Sequence, residues 1–264
     1  MQNTVDELDK SARDEINYPR MTRMPCLLIS VLGVIFAGCS DSASDAGVPE
    51  LPDLAIGMAS LAGKVVDTMG SPITGAALSI DETGETATTD SGGAFQLTVH
   101  GETTLSLRAS ASTYATTRLG AIKVAVGVAA TGVEIVLMSQ ADVDARNTAA
   151  GGSSMIHGII AVRVGKGASC TQDGATLAMN PPSAGVVSYA SAADGGAPPS
   201  SIQADAKTAA FVDRVLPNAT AYMLQLAKSG CTQAVPPVTT GMLTYVGSLP
   251  VSAGGVAQVT LFFQ

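Results

Sequence analysis

From Ala59 onward, apolar residues fall on every second position in short runs. Ala76, Leu78 and Ile80 alternate with Ala77 and Ser79, and Phe95, Leu97 and Val99 alternate with Gln96 and Thr98. Val133, Ile135 and Leu137 keep the same rhythm, as do Ile160, Val162 and Val164, then Ala175, Leu177 and Met179, then Tyr222, Leu224 and Leu226, and at the end Val259, Leu261 and Phe263. Successive side chains of a strand point to opposite faces, so this period buries one face and wets the other. Gly, Ser, Asp and Pro punctuate the runs as turns. No segment carries a convincing 3.6-residue period. The apolar stretch from Ala121 to Met138 invites a reading as a membrane helix, but Lys123, Glu134 and its glycines predict two strands with a turn near Thr131-Gly132. Aromatics are only 4% and Trp is absent, so the core must come from Val, Leu, Ile and Ala. The expectation is an all-β chain.

The first 58 residues follow different rules. Met21-Thr22-Arg23-Met24-Pro25 precedes an apolar run from Cys26 to Phe36, followed by Ala37-Gly38-Cys39-Ser40. A basic start, a short apolar core and a small-residue exit are the parts of an export signal. The run is well short of the roughly 20 residues a spanning helix needs. Small residues directly before a cysteine resemble the lipobox of bacterial lipoproteins, with Phe36 where Leu is usual. That resemblance implies cleavage between Gly38 and Cys39 and lipid attachment at Cys39. Ser40 resembles the outer-membrane sorting pattern of Gram-negative bacteria. An ordinary signal peptide or an uncleaved anchor is the other reading. Residues 1–20 carry five carboxylates, Asp6, Glu7, Asp9, Asp14 and Glu15, where a signal n-region should be basic, so Met21 or Met24 is the better start.

A formal charge of −8 and the absence of any Lys or Arg run argue against nucleic acid as a partner. Of four cysteines, Cys26 lies in the signal and Cys39 is the lipid site. Cys170 and Cys231 remain, and in an exported chain the pair reads as a disulfide, with two buried thiols as the alternative.

The expected organisation is a leader and signal over 1–38, a lipidated tether over 39–57, a β-sandwich over 58–140, a Gly/Ala-rich linker over 141–154 and a second β-sandwich over 155–264. The fold class is thus two tandem antiparallel β-sandwich domains. The halves also look related. Gly75-Ala76-Ala77-Leu78 matches Gly174-Ala175-Thr176-Leu177, Ala94-Phe95 matches Ala210-Phe211, and each half closes on an apolar strand, Val133–Met138 and Val256–Phe263.

The first half carries a more specific pattern. Gly63-Lys64-Val65-Val66-Asp67, the turn Gly70-Ser71-Pro72, then Gly75-Ala76 and Thr88-Thr89-Asp90-Ser91-Gly92-Gly93-Ala94-Phe95 resemble the carboxypeptidase regulatory-like domain. The resemblance covers Ala59 to Ser139 and implies a transthyretin-like sandwich of about seven strands. Pro72 fixes φ in a turn, and Gly75 supplies backbone freedom before the next strand. Gly92 stands where the family often has a polar residue, and Thr113 where Gly is common before Tyr114. Domains of this family are accessory modules, usually without catalytic residues. Their overlap with starch-binding-like sandwiches implies carbohydrate as a possible ligand, by fold analogy alone.

The chemistry-bearing residues are sparse. His100 and His157 are the only histidines, and no His-Glu-x-x-His, Cys-x-x-Cys, Gly-x-Ser-x-Gly or phosphate-loop pattern occurs. Asp81, Glu82, Glu85 and Asp90 surround one predicted hairpin and read either as solvated turn residues or as a Ca²⁺ cluster. Tyr114, Tyr189, Tyr222 and Tyr245 could offer a glycan platform, though scattered tyrosines more often pack at the rim. The expectation is a non-enzymatic envelope module for adhesion, scaffolding or binding, held to the membrane through Cys39, with Cys170–Cys231 as a structural bridge and neither cofactor nor metal. An unknown envelope protein or polysaccharide is its partner. A polysaccharide-binding protein is the alternative, and a hydrolase the distant one.

Overall fold

A computed structural model describes residues 57–165, 170–182, 185–190, 199–204, 206–217 and 222–264. The expected export signal, Cys26, Cys39 and nearly all of the expected tether lie outside them.

The first half supplies β1 (Met58–Asp67), β2 (Ala77–Ile80), β3 (Thr86–Thr88), β4 (Ala94–His100), β5 (Thr104–Leu105), β6 (Leu107–Ser110), β7 (Thr117–Leu119), β8 (Ile122–Val124) and β9 (Ala129–Leu137). Helix α1 (Gln140–Ala149) follows. The second half supplies β10 (Gly158–Gly165), β11 (Thr176–Asn180), β12 (Val186–Tyr189), β13 (Ala210–Val215), β14 (Met223–Ala227), β15 (Val238–Thr240), β16 (Leu243–Tyr245) and β17 (Val256–Phe262). The chain is all-β apart from α1.

Alternation sets the layers. In β4 the residues Phe95, Leu97 and Val99 point inward while Gln96 and Thr98 are exposed. Two sandwich cores result. One gathers Leu61, Val65, Leu78, Phe95, Leu107 and Ile135. The other gathers Ile160, Val162, Leu177, Leu224, Val259 and Leu261.

The two halves repeat one topology. In the first, β1 lies between β4 (antiparallel) and β9 (parallel). In the second, β10 lies between β13 (antiparallel) and β17 (parallel). The strands matched in sequence occupy equivalent places. The hydrogen bonds agree as well: Gly75 N donates to Thr89 O and Thr89 N to Ala76 O, while Gly174 N donates to Ile202 O and Ile202 N to Ala175 O. Both glycines sit at positive φ, 72° and 74°, which side chains disfavour.

Three details differ from expectation. The pairings β1–β9 and β10–β17 are parallel because the first and last strands of each half lie side by side after a long crossover, and the cross-half pairing β17–β7 is parallel as well. The turn placed at Thr131-Gly132 falls at Val126-Gly127 instead, with Val126 half exposed, and Gly132 forms a bulge inside β9 opposite the Leu61–Gly63 register shift. The segment 141–154, read as a linker, is mostly α1. Ser139 caps it, its Oγ accepting from Asp142 N at 3.1 Å, and only Val143 and Asn147 are buried, too few for a helical period to show.

The two sandwiches are fused. An eight-stranded sheet runs β12-β13-β10-β17-β7-β6-β2-β3, so β17 of the second half pairs with β7 of the first. In a four-stranded sheet β16 pairs with β8 in the same cross-half manner. Buried Gln258 completes the joint: its Oε1 accepts from Val136 N at 2.8 Å and its Nε2 donates to Glu134 O at 2.7 Å. The amide thus fills the place of a strand on the outer edge of β9. Arg163 adds an ion pair to Glu134 at 3.0 Å.

Helix α1 is locked to β13. Arg146 makes a two-pronged pair with Asp213 (2.8 and 3.0 Å), and its guanidinium lies 3.8 Å over the Phe211 ring. Fully buried Asn147 accepts from Arg214 N, at a residue whose φ is +57° beside a bulge.

Candidate functional site

The cysteine pair is joined. Cys170 and Cys231 form a disulfide with their Cα atoms 6.1 Å apart and a sequence separation of 61. The loop it closes contains β11 to β14 and packs against the second core. Cys39 lies outside the described residues.

The carboxylates around the β2–β3 hairpin each have a local partner. Asp90 Oδ1 accepts from Gly92 N and Ala94 N, which shapes the turn. Glu82 Oε2 accepts from Ser106 N, Glu85 stands 4.0 Å from His100 Nε2, and Asp81 pairs with Arg108. Among the described residues no three His, Cys, Asp or Glu side chains gather as metal ligands. His157 belongs to a turn, its Nδ1 accepting from Ser153 N at 3.1 Å.

The tyrosines are packed into the structure and form no shared platform. Tyr114 lies against the first core, and the Tyr189 hydroxyl meets Leu177 N. The Tyr222 hydroxyl donates to Leu216 O. Tyr245 packs against Phe262 with the ring centroids 5.0 Å apart and the planes tilted by 56°, and burial raises its pKa above the ordinary 10.0, with Arg163 opposing.

Two surface features went unseen in the sequence. The first is an apolar groove of about 510 Å³ along β14, lined by Met223, Leu226, Val235, Pro236, Leu249 and Leu261 among others. Met223 and Val235 are 55% and 77% exposed, which makes the groove an accessible apolar surface. Its origin lies in the repeat. In the first half β6 pairs with β2 on one side and β7 on the other. In the second half β14 pairs with β11, but among the described residues its other edge meets the Gln233 side chain, which accepts from Leu226 N at 2.5 Å and donates to Leu224 O at 3.2 Å. The equivalent of β7 is missing there among the described residues.

The second feature is a polar cleft of about 400 Å³ lined by Arg108, Tyr114, Thr116, Arg118, Gln140 and the 252–255 turn. Arg108 and Arg118, ten positions apart in sequence, become directly opposed when β6 pairs with β7. Alternation alone would have put Arg108 on the outer face, since Leu107 and Ala109 point inward. The turn between the strands was not legible enough to set the register.

A chain built this way is a double β-sandwich. Residues 60–138 match the family model of the carboxypeptidase regulatory-like domain, so the first sandwich is such a domain. Comparison with curated proteins returned no match. Among solved structures the chain is similar to the Bacillus anthracis TIE protein, at 12% identity and a TM-score of 0.27, over 78% of this chain and 34% of that one. It is also similar to a Streptococcal ancillary pilin, at 13% identity and a TM-score of 0.23, over 78% and 62% of the two chains.

Proposed function

We propose that this protein is a lipid-anchored, non-enzymatic binding module of the bacterial cell envelope, used for adhesion or scaffolding. The observation that carries the reading is the second edge of β14, covered by the Gln233 side chain rather than by a strand and lying beside an apolar groove, in a chain stapled by a disulfide. Disulfides persist in oxidising compartments outside the cytosol, which agrees with the export signal before Cys39. An extended segment of an envelope protein would displace the Gln233 amide, add to β14 as a strand, as β7 adds to β6, and seat alternate apolar side chains in the groove. Two or more acyl chains on Cys39 would give stable anchoring.

The intact, non-reduced mass of the detergent-extracted native protein tests the anchor. The expected value is residues 39–264 plus acyl groups minus two hydrogens; an unlipidated mass, or one retaining residues 1–38, rules out the anchor. Photoreactive residues at Met223 and Gln225 in intact cells test the binding edge. Strand addition predicts adducts on partner residues two positions apart, and adducts scattered over unrelated proteins would sink it.

A further inference from the structure

We propose that the Arg108–Arg118 cleft binds the carboxylate of an acidic sugar residue. The inference rests on the extracytoplasmic placement above, where such polymers are met, but not on the anchor itself.

Like charges directly opposite across a strand pair repel. One carboxylate stands with these two guanidiniums. Asp81 takes Arg108 Nη2 at 2.5 Å and approaches Arg118 Nε at 3.4 Å. The Nε atoms of both arginines are buried without a hydrogen-bond partner, so the contact to Arg118 is one of charge without hydrogen-bond alignment. Pairing is therefore incomplete, and the cluster keeps a local charge of about +1 in a chain of −8. No residue lining the cleft is acidic. Of the helix carboxylates, Asp144 is engaged by Gln140 Nε2 at 3.0 Å and Asp142 by Ser139 Oγ at 2.6 Å. Gln140 is also the first residue of α1, which brings the positive end of the helix dipole to the same place.

A planar guanidinium presents a fork of donors that matches a carboxylate. Around the arginines stand Thr116, Ser252, Tyr114 and Gln140, which offer hydroxyls and an amide. Those groups complement the hydroxyls of a sugar ring and provide little for the apolar side chains of a peptide. The volume falls within the range of small-molecule sites, about 300–1,000 Å³.

Calorimetric titration of the full-length protein in detergent with a short oligogalacturonate tests the assignment, at about 0.15 M salt so that distant charges are screened. Its methyl ester, neutral dextran and dextran sulfate are the comparison probes. The acid should bind and the ester and dextran should not. Arg118→Gln should weaken binding by about tenfold or more, and Arg118→Lys should also weaken it because an ammonium lacks the fork. Gln140→Glu, which adds a carboxylate without removing an arginine, should weaken it too. Unchanged thermal unfolding would show that the variants are folded. Absence of binding, equal affinity for the ester, equal or tighter binding of dextran sulfate, or indifference to both Arg118→Gln and Gln140→Glu would overturn the proposal. A lipidated protein that ignores oligogalacturonate loses only this assignment. An unlipidated one that binds it loses only the anchor.

Discussion

Replacing Gln258 tests whether its side chain holds the two sandwiches together. It sits in β17 with 2% of its surface exposed and spends its amide on the backbone of β9. In Gln258→Leu, Val136 N loses its acceptor, and a buried unsatisfied donor costs about 1–3 kcal/mol. Glu134 O still accepts from Arg163 Nη1 at 3.1 Å, so the second bond is partly replaced. The net loss should be about 2 kcal/mol. Gln258→Glu is the sharper test. One carboxyl oxygen can still accept from Val136 N, but the other faces the Glu134 carbonyl. Ionised, it is a buried charge against an acceptor; protonated, it can donate as the amide did. Burial therefore raises its pKa in the folded state above the unfolded value of about 4.3. The folded state then holds a proton that the unfolded state has released, so stability falls as pH rises past that value and recovers below it. Urea denaturation followed by far-UV circular dichroism at pH 7 and at about pH 4 measures this. The Glu variant should be the less stable of the two at pH 7, and its deficit relative to wild type should shrink at the lower pH. A Leu variant within about 0.5 kcal/mol of wild type, together with a pH-independent Glu deficit, would refute the account.

Three further outcomes are expected. The double variant Cys170→Ser/Cys231→Ser should lose about 4 kcal/mol by the loop-entropy relation for a separation of 61 residues, and a denaturation midpoint unmoved by reduction of the wild type would contradict this. Arg146→Gln leaves the carboxylate of Asp213, 5% exposed, without its cation; because Arg146 is itself partly exposed, the cost should be about 2–3 kcal/mol, read as a lowered urea midpoint. Tyr245 has a raised pKa through burial, so above about pH 10 the unfolded chain ionises before the folded one and stability declines; Tyr245→Phe should flatten that decline, measured as the slope of unfolding free energy against pH.

Most of the strands could be read in advance because their burial alternates with period two. Val65, Phe95, Leu97, Leu177 and Leu226 lie where that pattern puts them, facing a core. The motif from Asp90 to Gly93 was legible because its chemistry is local: one carboxylate closes the turn, and Gly93 sits at φ +71° where an added Cβ would meet Val65 O at 2.6 Å. Helix α1 was hidden because it is nearly all polar and draws its stability from Arg146 and Asn147 on β13, contacts that sequence spacing does not announce. The cleft and the groove were hidden for a related reason. Each depends on which strand lies beside which, and β7 beside β17, or β14 with β11 on one edge and no strand among the described residues on the other, is a fact of topology rather than of local pattern.

The position of β17 bears on how the chain reaches this state. It is the last strand in sequence order, yet it lies between β10 and β7, near the middle of the long sheet. Until β17 is in place, two inner edges, those of β10 and β7, stay uncovered. Such edges invite pairing with other chains. Contacts this distant in sequence also form slowly. Loss of β17 would therefore expose an inner edge in each half at once.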